Sequence, residues 1–368
     1  MKTLAAITLA PKAPFSLVDI DLPELGAHDV LVRIAGVGIC HSDLASRDGN
    51  LGAPFPAVFG HEGAGVVTAV GHEVTKLQVG DHVVLAPDSD GSCPLCQAGA
   101  PMYCDHFTDL NLQTNLPGPT AGLANGERAH IKYFGQSSFA HFALAGDRNA
   151  VKVSKDAPLH LLGPLGCGIQ TGAGTVMNGL RPQAGSSIVV IGSGTVGMAA
   201  IMAAAVCGCA TVIAVDRVES RLQLAKTLGA THAIDTSKST NLVAAILEIV
   251  PRGADYIVDT AGVPGLVGSS MDGLARLGTL ALVAVPPTPE RTLDLPWLYM
   301  LLKGQKVQGF IEGNSIPDVF IPQMIALYQA GRFPFDKLIQ VYPFEKINEA
   351  IEDQHSGKTI KAVLEMSS

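Results

Sequence analysis

Ser187-Ile188-Val189-Val190-Ile191-Gly192-Ser193-Gly194-Thr195-Val196-Gly197 is the stretch whose reading decides the fold. Five residues of buried-strand type lead directly into Gly-x-Gly-x-x-Gly, and an Ala-rich helical run follows as far as Cys207-Gly208. A strand before and a helix after separate a dinucleotide-binding loop from an ordinary glycine turn. Gly192, Gly194 and Gly197 would admit a pyrophosphate to the helix N-terminus, beside Thr195 and Val196, where free N–H groups and the helix dipole favour an anion. A second apolar strand over 211–215 ends in Asp216, placed to accept hydrogen bonds from a ribose and to repel a 2′-phosphate. That favours NAD over NADP, with Arg217 beside it pulling the other way. A helix over 219–228 closed by Gly229, then strands at 255–259 and 280–285, extend the pattern to a doubly wound parallel sheet.

Upstream the pattern is different. Residues 15–90 read as short strands with Gly/Pro turns, among them 30–34, 65–67 and 79–85, which suggests a small barrel-like β domain. Set into it are Gly38-Ile39-Cys40-His41-Ser42-Asp43 and Gly60-His61-Glu62-Gly63-Ala64-Gly65. Cys40 can be a packed thiol or a thiolate ligand with a hydroxyl two residues on, and His61 with Glu62 offers two metal-capable side chains in succession. Asp90-Gly91-Ser92-Cys93-Pro94-Leu95-Cys96 follows, with Cys104 beyond. Cys-x-x-Cys plus a third cysteine in a Gly/Pro-rich lobe points to zinc, because such a loop cannot build its own core. Three thiolates need a fourth donor, and Asp90 repeats the three-residue step, with Asp88, Asp105 and His106 competing. Residues 108–132 read as an aperiodic surface excursion. Leu165-Gly166-Cys167-Gly168 supplies another ligand candidate just before the dinucleotide fold, and Phe310-Ile311-Glu312-Gly313 returns the chain toward the first domain. Helix, strand, helix and strand then fill 317–368, so the first domain is expected to be discontinuous.

Composition bounds the alternatives. A chain of 368 residues with 47% hydrophobic and 16% charged residues exceeds what one core holds, so two domains are expected. A net charge of −8 without any basic run argues against nucleic acid or an anionic membrane as partner. The N-terminal apolar run is short and meets Pro11-Lys12, which reads as an opening strand rather than a leader. Seven cysteines, several at short spacing, suit thiolate metal sites in a reducing, cytoplasmic setting better than disulfides.

Taken together, the chain resembles the zinc-containing medium-chain alcohol dehydrogenases over nearly its whole length. Residues 60–74 fit that family's Gly-His-Glu-x2-Gly-x5-Gly-x2-Val signature. Phe134-Gly135-Gln136-Ser137-Ser138-Phe139, the 162–172 segment and the 331–339 segment are similar to the benzyl (aryl) alcohol dehydrogenase branch. The resemblance implies an α/β protein: a GroES-like β-barrel catalytic domain at 1–168 and 312–368, and a Rossmann NAD-binding domain at 169–311. It implies that Cys40, His61 and Cys167 bind a catalytic zinc, that Glu62 approaches the metal as an exchange ligand, and that Asp43 orients the histidine. Ser42 would take the substrate proton. His41, Arg221 and Lys361 would contact cofactor phosphate or ribose, and Thr171, Val285 and Ile311 would lie near the nicotinamide. Asp90, Cys93, Cys96 and Cys104 would hold a structural zinc. Two departures stand out: Asp90 replaces the family's usual first cysteine, and Ala45 stands where some relatives end the proton relay with a histidine.

The implied activity is reversible hydride transfer between a primary aromatic or allylic alcohol and NAD, in a homodimer or homotetramer. Aliphatic, cinnamyl-type or polyol alcohols are the nearest alternatives. A catalytically silent NAD-binding protein is opposed by the intact ligand positions and Ser42.

Overall fold

The apolar runs around the glycine loop form one six-stranded parallel sheet. From edge to edge its strands are His232–Asp235, Thr211–Asp216, Ser187–Ile191, Ala254–Asp259, Leu274–Leu282 and Lys306–Gly309. Numbered along the chain, that order is 3-2-1-4-5-6, two mononucleotide-binding halves meeting at Ser187–Ile191. Continuous Val/Ile runs belong here because both faces of a parallel sheet are covered. Val189, Val190, Ile213, Ile257 and Leu280 are all fully buried. The helix Thr195–Val206 is buried along most of its length, and the helix Gly168–Gly174 packs closely on it, a Cβ on Gly172 falling 1.9 Å from the Val196 carbonyl oxygen and 2.9 Å from the Ala199 Cβ.

The computed structural model describes residues 1–112, 118–239, 241–263, 265–285 and 292–366. Contacts divide the chain into two units. One comprises Met1–Cys167, Ile316–Gln329 and Phe335–Ser368, and the other Gly168–Ser315 and Ala330–Pro334. The expected boundaries differ from this division at residue 168, at 312–315 and at 330–334. The reason is local bonding: Ser315 lies 3.0 Å from Gln170 Oε1, and Arg332 Nη2 donates to the Val206 carbonyl at 3.3 Å.

The first unit holds a closed barrel of Lys2–Thr8, Ser16–Asp21, Thr120–Gly122, Arg128–His130 and Ala57–Val58. Beside it runs a seven-stranded sheet whose centre pairs Gly63–Val70 with Asp29–Gly38 and then Lys361–Glu365. Phe15, Phe59 and Phe139 fill the core between them with edge-to-face contacts. Residues 108–132 are not the aperiodic excursion expected, apart from 113–117, which lie outside the described residues. The helix Phe107–Leu112 and the strands Thr120–Gly122 and Arg128–His130 lie here, and the strands help to close the barrel. Strands of three residues are too short to show alternation. His82 and His130 sit in strands, each with a buried ring nitrogen.

Candidate active site

The first cluster is built on two tight backbone features of the barrel unit. Cys40 is the N-cap of the helix His41–Arg47, and its N–H donates to Asp43 Oδ2 at 2.9 Å. The same fully buried carboxylate uses Oδ1 to accept from the Gly60 N–H at 3.1 Å and from His61 Nδ1 at 2.7 Å. Asp43 thereby clamps the cysteine turn to the histidine loop and fixes the proton on Nδ1. Gly60 is glycine for two reasons: its φ is +89°, and a Cβ there would stand 2.5 Å from the Phe139 nitrogen.

With Nδ1 engaged, His61 Nε2 is left buried and without a hydrogen-bond partner. The ligand atoms of Cys40, His61, Glu62 and Cys167 all lie within 4.8 Å of one another. A buried, unpartnered imidazole nitrogen among two thiols and a carboxylate is the donor set of a zinc site. The electrostatics agree. The hydrogen bond from Cys167, with His61 and Lys361 nearby, holds the Cys40 thiol well below its usual range despite burial. Burial opposes charge on His61, yet Asp43 and Cys40 raise its proton affinity well above the ordinary histidine range. Such a site is primed to exchange protons for a cation.

Ser42 stands beside this cluster, its Oγ 3.9 Å from Cys40 Sγ, and its carbonyl accepts from Tyr133 Oη at 3.1 Å. His41 is exposed at the start of the same helix. Lys361 departs from the expected cofactor contact. It is 2% exposed and donates to both Glu62 oxygens, at 2.8 and 2.9 Å, and to the Ile39 carbonyl at 2.8 Å. Three donors on three acceptors leave the ammonium nothing to offer a phosphate. Burial pulls its proton affinity down, but Glu62 and Cys40 hold it above the usual lysine value. Burial pushes Glu62 up, with Lys361 holding it back.

Four contributors escaped the sequence. Gln136 is buried, accepts from the Gly63 N–H and Ser138 Oγ, and donates to the His61 carbonyl. Phe134 stacks on the His61 ring at 4.5 Å, and Tyr133 meets it edge-on at 5.6 Å. Ser46, fully buried, lies 2.8 Å from Tyr133 Oη.

In the same unit, Asp90, Cys93, Cys96 and Cys104 form the second cluster of ligand atoms within 4.8 Å. Asp88, Asp105 and His106 are not in it. Asp90 Oδ1 accepts from the Ser92 and Cys93 N–H groups, which hold its carboxyl below the usual carboxylate range. Oδ2 lies 3.7 Å from His106 Nε2. Cys104 Sγ accepts from the Asp90 and His106 N–H groups and Cys93 Sγ from that of Cys96. The backbone donors hold the Cys93 thiol below its usual range, while burial pushes Cys96 and Cys104 up, and all seven cysteines are free of disulfides. The cluster fits a structural zinc.

The second unit carries the dinucleotide loop. Gly192 has φ +93°, and a Cβ on Gly197 would fall 1.8 Å from the Gly192 carbonyl oxygen. A Cβ on Gly194, in contrast, would meet nothing within 4 Å. Gly194 is the N-cap of the helix Thr195–Val206 and offers no side-chain cap, and a helix N-terminus of this kind favours an anion. The fully buried Ser193 hydroxyl beside it has no partner, so the loop fits a bound pyrophosphate. Asp216 accepts from the N–H groups of Ser193, Arg217 and Val218 at 2.7–2.9 Å, which leaves a carboxylate one acceptor position for a ribose. Arg221 Nε is buried without a partner, whereas Arg217 is exposed. Thr171 donates to Glu312 Oε2, Ile311 is half-buried, and Val285 is 69% exposed.

Comparisons with known proteins converge on this geometry. Residues 26–155 match the alcohol dehydrogenase GroES-like domain, and residues 195–330 match the zinc-binding dehydrogenase domain. The chain is 41% identical to a geraniol dehydrogenase of Castellaniella defragrans over 366 residues, 98% of this chain and 96% of the relative. Two solved structures superpose along the full length of both chains. One is an alcohol dehydrogenase zinc-binding domain protein from Burkholderia ambifaria, with TM-score 0.97 and 45% identity. The other is the benzyl alcohol dehydrogenase of Acinetobacter calcoaceticus, with TM-score 0.94 and 42% identity.

Proposed function

The chain belongs to the zinc-type medium-chain alcohol dehydrogenases, and on that footing we propose that it interconverts primary aromatic or allylic alcohols and their aldehydes with NAD. The observation that carries the reading is the buried His61 Nε2, fixed by Asp43 and left without a partner among Cys40, Cys167 and Glu62. Relatives named for benzyl alcohol and geraniol support the substrate class.

In this reading Cys40, His61 and Cys167 hold the catalytic zinc and Asp90, Cys93, Cys96 and Cys104 the structural one. Bound there, zinc supplies a Lewis acid that eases loss of the alcohol proton, and NAD supplies the hydride acceptor. Asp43 keeps His61 in the tautomer that presents Nε2. Ser42 accepts the proton at Oγ, and because position 45 is alanine no histidine there carries the proton further. Lys361 balances the buried Glu62 carboxylate, which serves as an exchange ligand. On the second unit, Gly192–Gly197 seat the pyrophosphate and Asp216 takes the ribose, with Arg221 within reach of the same nucleotide.

Self-association as a dimer or tetramer suits the coenzyme unit. Trp297, Leu298, Tyr299, Leu301 and Leu302 are all more than half exposed, close in sequence to the sheet's edge strand Lys306–Gly309. No helix among the described residues is long and apolar enough to cross a membrane. Seven free cysteines fit a cytoplasmic setting.

The test is kcat/KM for benzyl, cinnamyl, geranyl and short aliphatic alcohols, each with NAD and with NADP. Benzyl or geranyl alcohol with NAD should rank first. A higher kcat/KM for ethanol or butanol would overturn the substrate class, and a preference for NADP would overturn the role given to Asp216.

A further inference from the structure

The coenzyme unit contains a buried carboxylate that neither the phosphate loop nor the metal clusters use. Glu312 follows the edge strand Lys306–Gly309 by three residues and is 7% exposed. Its Oε2 accepts from Gln170 Nε2 at 3.1 Å and from Thr171 Oγ1 at 3.2 Å. Ser315 Oγ lies 3.0 Å from Gln170 Oε1 and 2.7 Å from the Glu312 carbonyl oxygen, which closes the network. Gln170 and Ser315 are also buried.

The backbone at this point is strained. Glu312, Gly313 and Asn314 have φ of +47°, +64° and +50°, three left-handed residues in succession, of which two carry side chains. Such a run persists only where its surroundings over-determine it, and it concentrates at functional sites. The surroundings here are tight. A Cβ on Gly313 would stand 2.3 Å from the Gln170 carbonyl oxygen, and one on Gly174 would stand 2.4 Å from that of Gly313. Asn178 Nδ2 also donates to the Gly313 carbonyl, from a π-helical turn, Thr175–Leu180. Irregular turns of that kind likewise favour functional sites.

Topology says what the turn serves. In a 3-2-1-4-5-6 sheet the ligand lies across the carboxyl ends of the strands, its two nucleotide halves on either side of the switch point. The glycine loop marks the pyrophosphate at the end of Ser187–Ile191, and Asp216 puts the adenosine half over strands two and three. The other half must extend over the ends of Ala254–Asp259, Leu274–Leu282 and Lys306–Gly309. The 311–315 turn stands just past the last of these ends.

We propose that Glu312 is a positioning residue for the nicotinamide half of the dinucleotide. Its carboxylate ties the left-handed 311–315 turn to Gln170 and Thr171, so the nicotinamide side of the site is shaped before the cofactor arrives instead of being ordered by it. This rests on the dinucleotide reading given above.

The test compares NADH with ADP-ribose, which lacks nicotinamide, by isothermal titration of the zinc-replete protein. Glu312→Ala should weaken NADH roughly tenfold, a loss of about 1.4 kcal/mol, and leave ADP-ribose within about twofold. Glu312→Gln keeps an acceptor oxygen at the same place and should restore most NADH affinity. Gln170→Met, which removes one donor from the carboxylate, should repeat the NADH-selective loss should the alanine variant fold poorly. Equal losses for both ligands would make Glu312 a purely structural residue and overturn the proposal, as would no loss for either. Failure of the unsubstituted protein to bind ADP-ribose would overturn the dinucleotide reading itself, and this proposal with it.

Discussion

Replacing Lys361 with methionine isolates the least expected feature of the active-site cluster. The ammonium lies 2.8 Å from Glu62 Oε2 and 2.9 Å from Oε1, with the lysine 2% exposed and the glutamate fully buried. At that separation and an effective dielectric constant of about 20, the attraction is about 6 kcal/mol. Part of it offsets the desolvation of the lysine, and that part is regained when the lysine goes. The burial cost of Glu62 is not regained. The Ile39 carbonyl also loses its donor, at about 1 kcal/mol. Lys361→Met should therefore destabilise the barrel unit by about 3–5 kcal/mol, the range for breaking one side of a buried pair. The double variant Lys361→Met with Glu62→Gln removes both charges and should recover most of that loss. Guanidinium unfolding followed by far-UV circular dichroism gives the magnitude. Hydrogen exchange along Lys361–Glu365 and Asp29–Gly38 localises it. Lys346→Met is the control: its pair with Glu349 is about half exposed and should contribute under about 1 kcal/mol. A Lys361→Met cost below about 1 kcal/mol, or a double variant no better than the single one, would refute the reasoning.

Other outcomes follow from the same geometry. Ser42→Ala should lower kcat by roughly 10²–10⁴ while zinc content and NADH binding stay unchanged, and near-normal turnover would remove the proton-transfer role. Metal analysis should find two zinc ions in the intact protein, and Asp90→Ala should lose the structural one selectively. Full retention of zinc by that variant would show that the carboxylate is not a ligand. Burial, with Cys207 and Asp255 nearby, pushes the Cys209 thiol up to about 11. The folded state thus favours the protonated thiol, a stabilisation present below the unfolded value of 9.0 and lost as pH rises toward 11. Iodoacetamide should label Cys209 at pH 8 roughly a hundredfold more slowly than an exposed cysteine, with the rate climbing only above about pH 10.

How much of this was legible in the chain depended on how locally each feature is specified. The glycine loop could be read from the sequence because phosphate binding sets glycines at fixed steps within one strand–loop–helix unit, and Gly192 by its positive φ and Gly197 by its close approach to the Gly192 carbonyl each answer a local demand. Cys93 and Cys96 were legible for the same reason, since one short turn carries both thiols. Cys40, His61 and Cys167 lie far apart in sequence, and only the resemblance brought them together, because barrel topology leaves no periodic trace of which residues will meet. Lys361 shows the limit of that borrowing. The resemblance implied a cofactor phosphate or ribose contact, but the lysine's strand pairs with Asp29–Gly38 and delivers the ammonium to a carboxylate 299 residues away. The shelf beneath His61 was illegible for a different reason. Phe134, Gly135 and Ser137 all have positive φ, and only one of them is a glycine. Where tertiary bonds force ordinary residues into left-handed backbone, the sequence carries no local signal of it. The same holds at Glu312 and Asn314. Both irregular stretches adjoin the sites proposed above for metal and cofactor, as expected if strain tolerated by the fold is kept where it shapes a site.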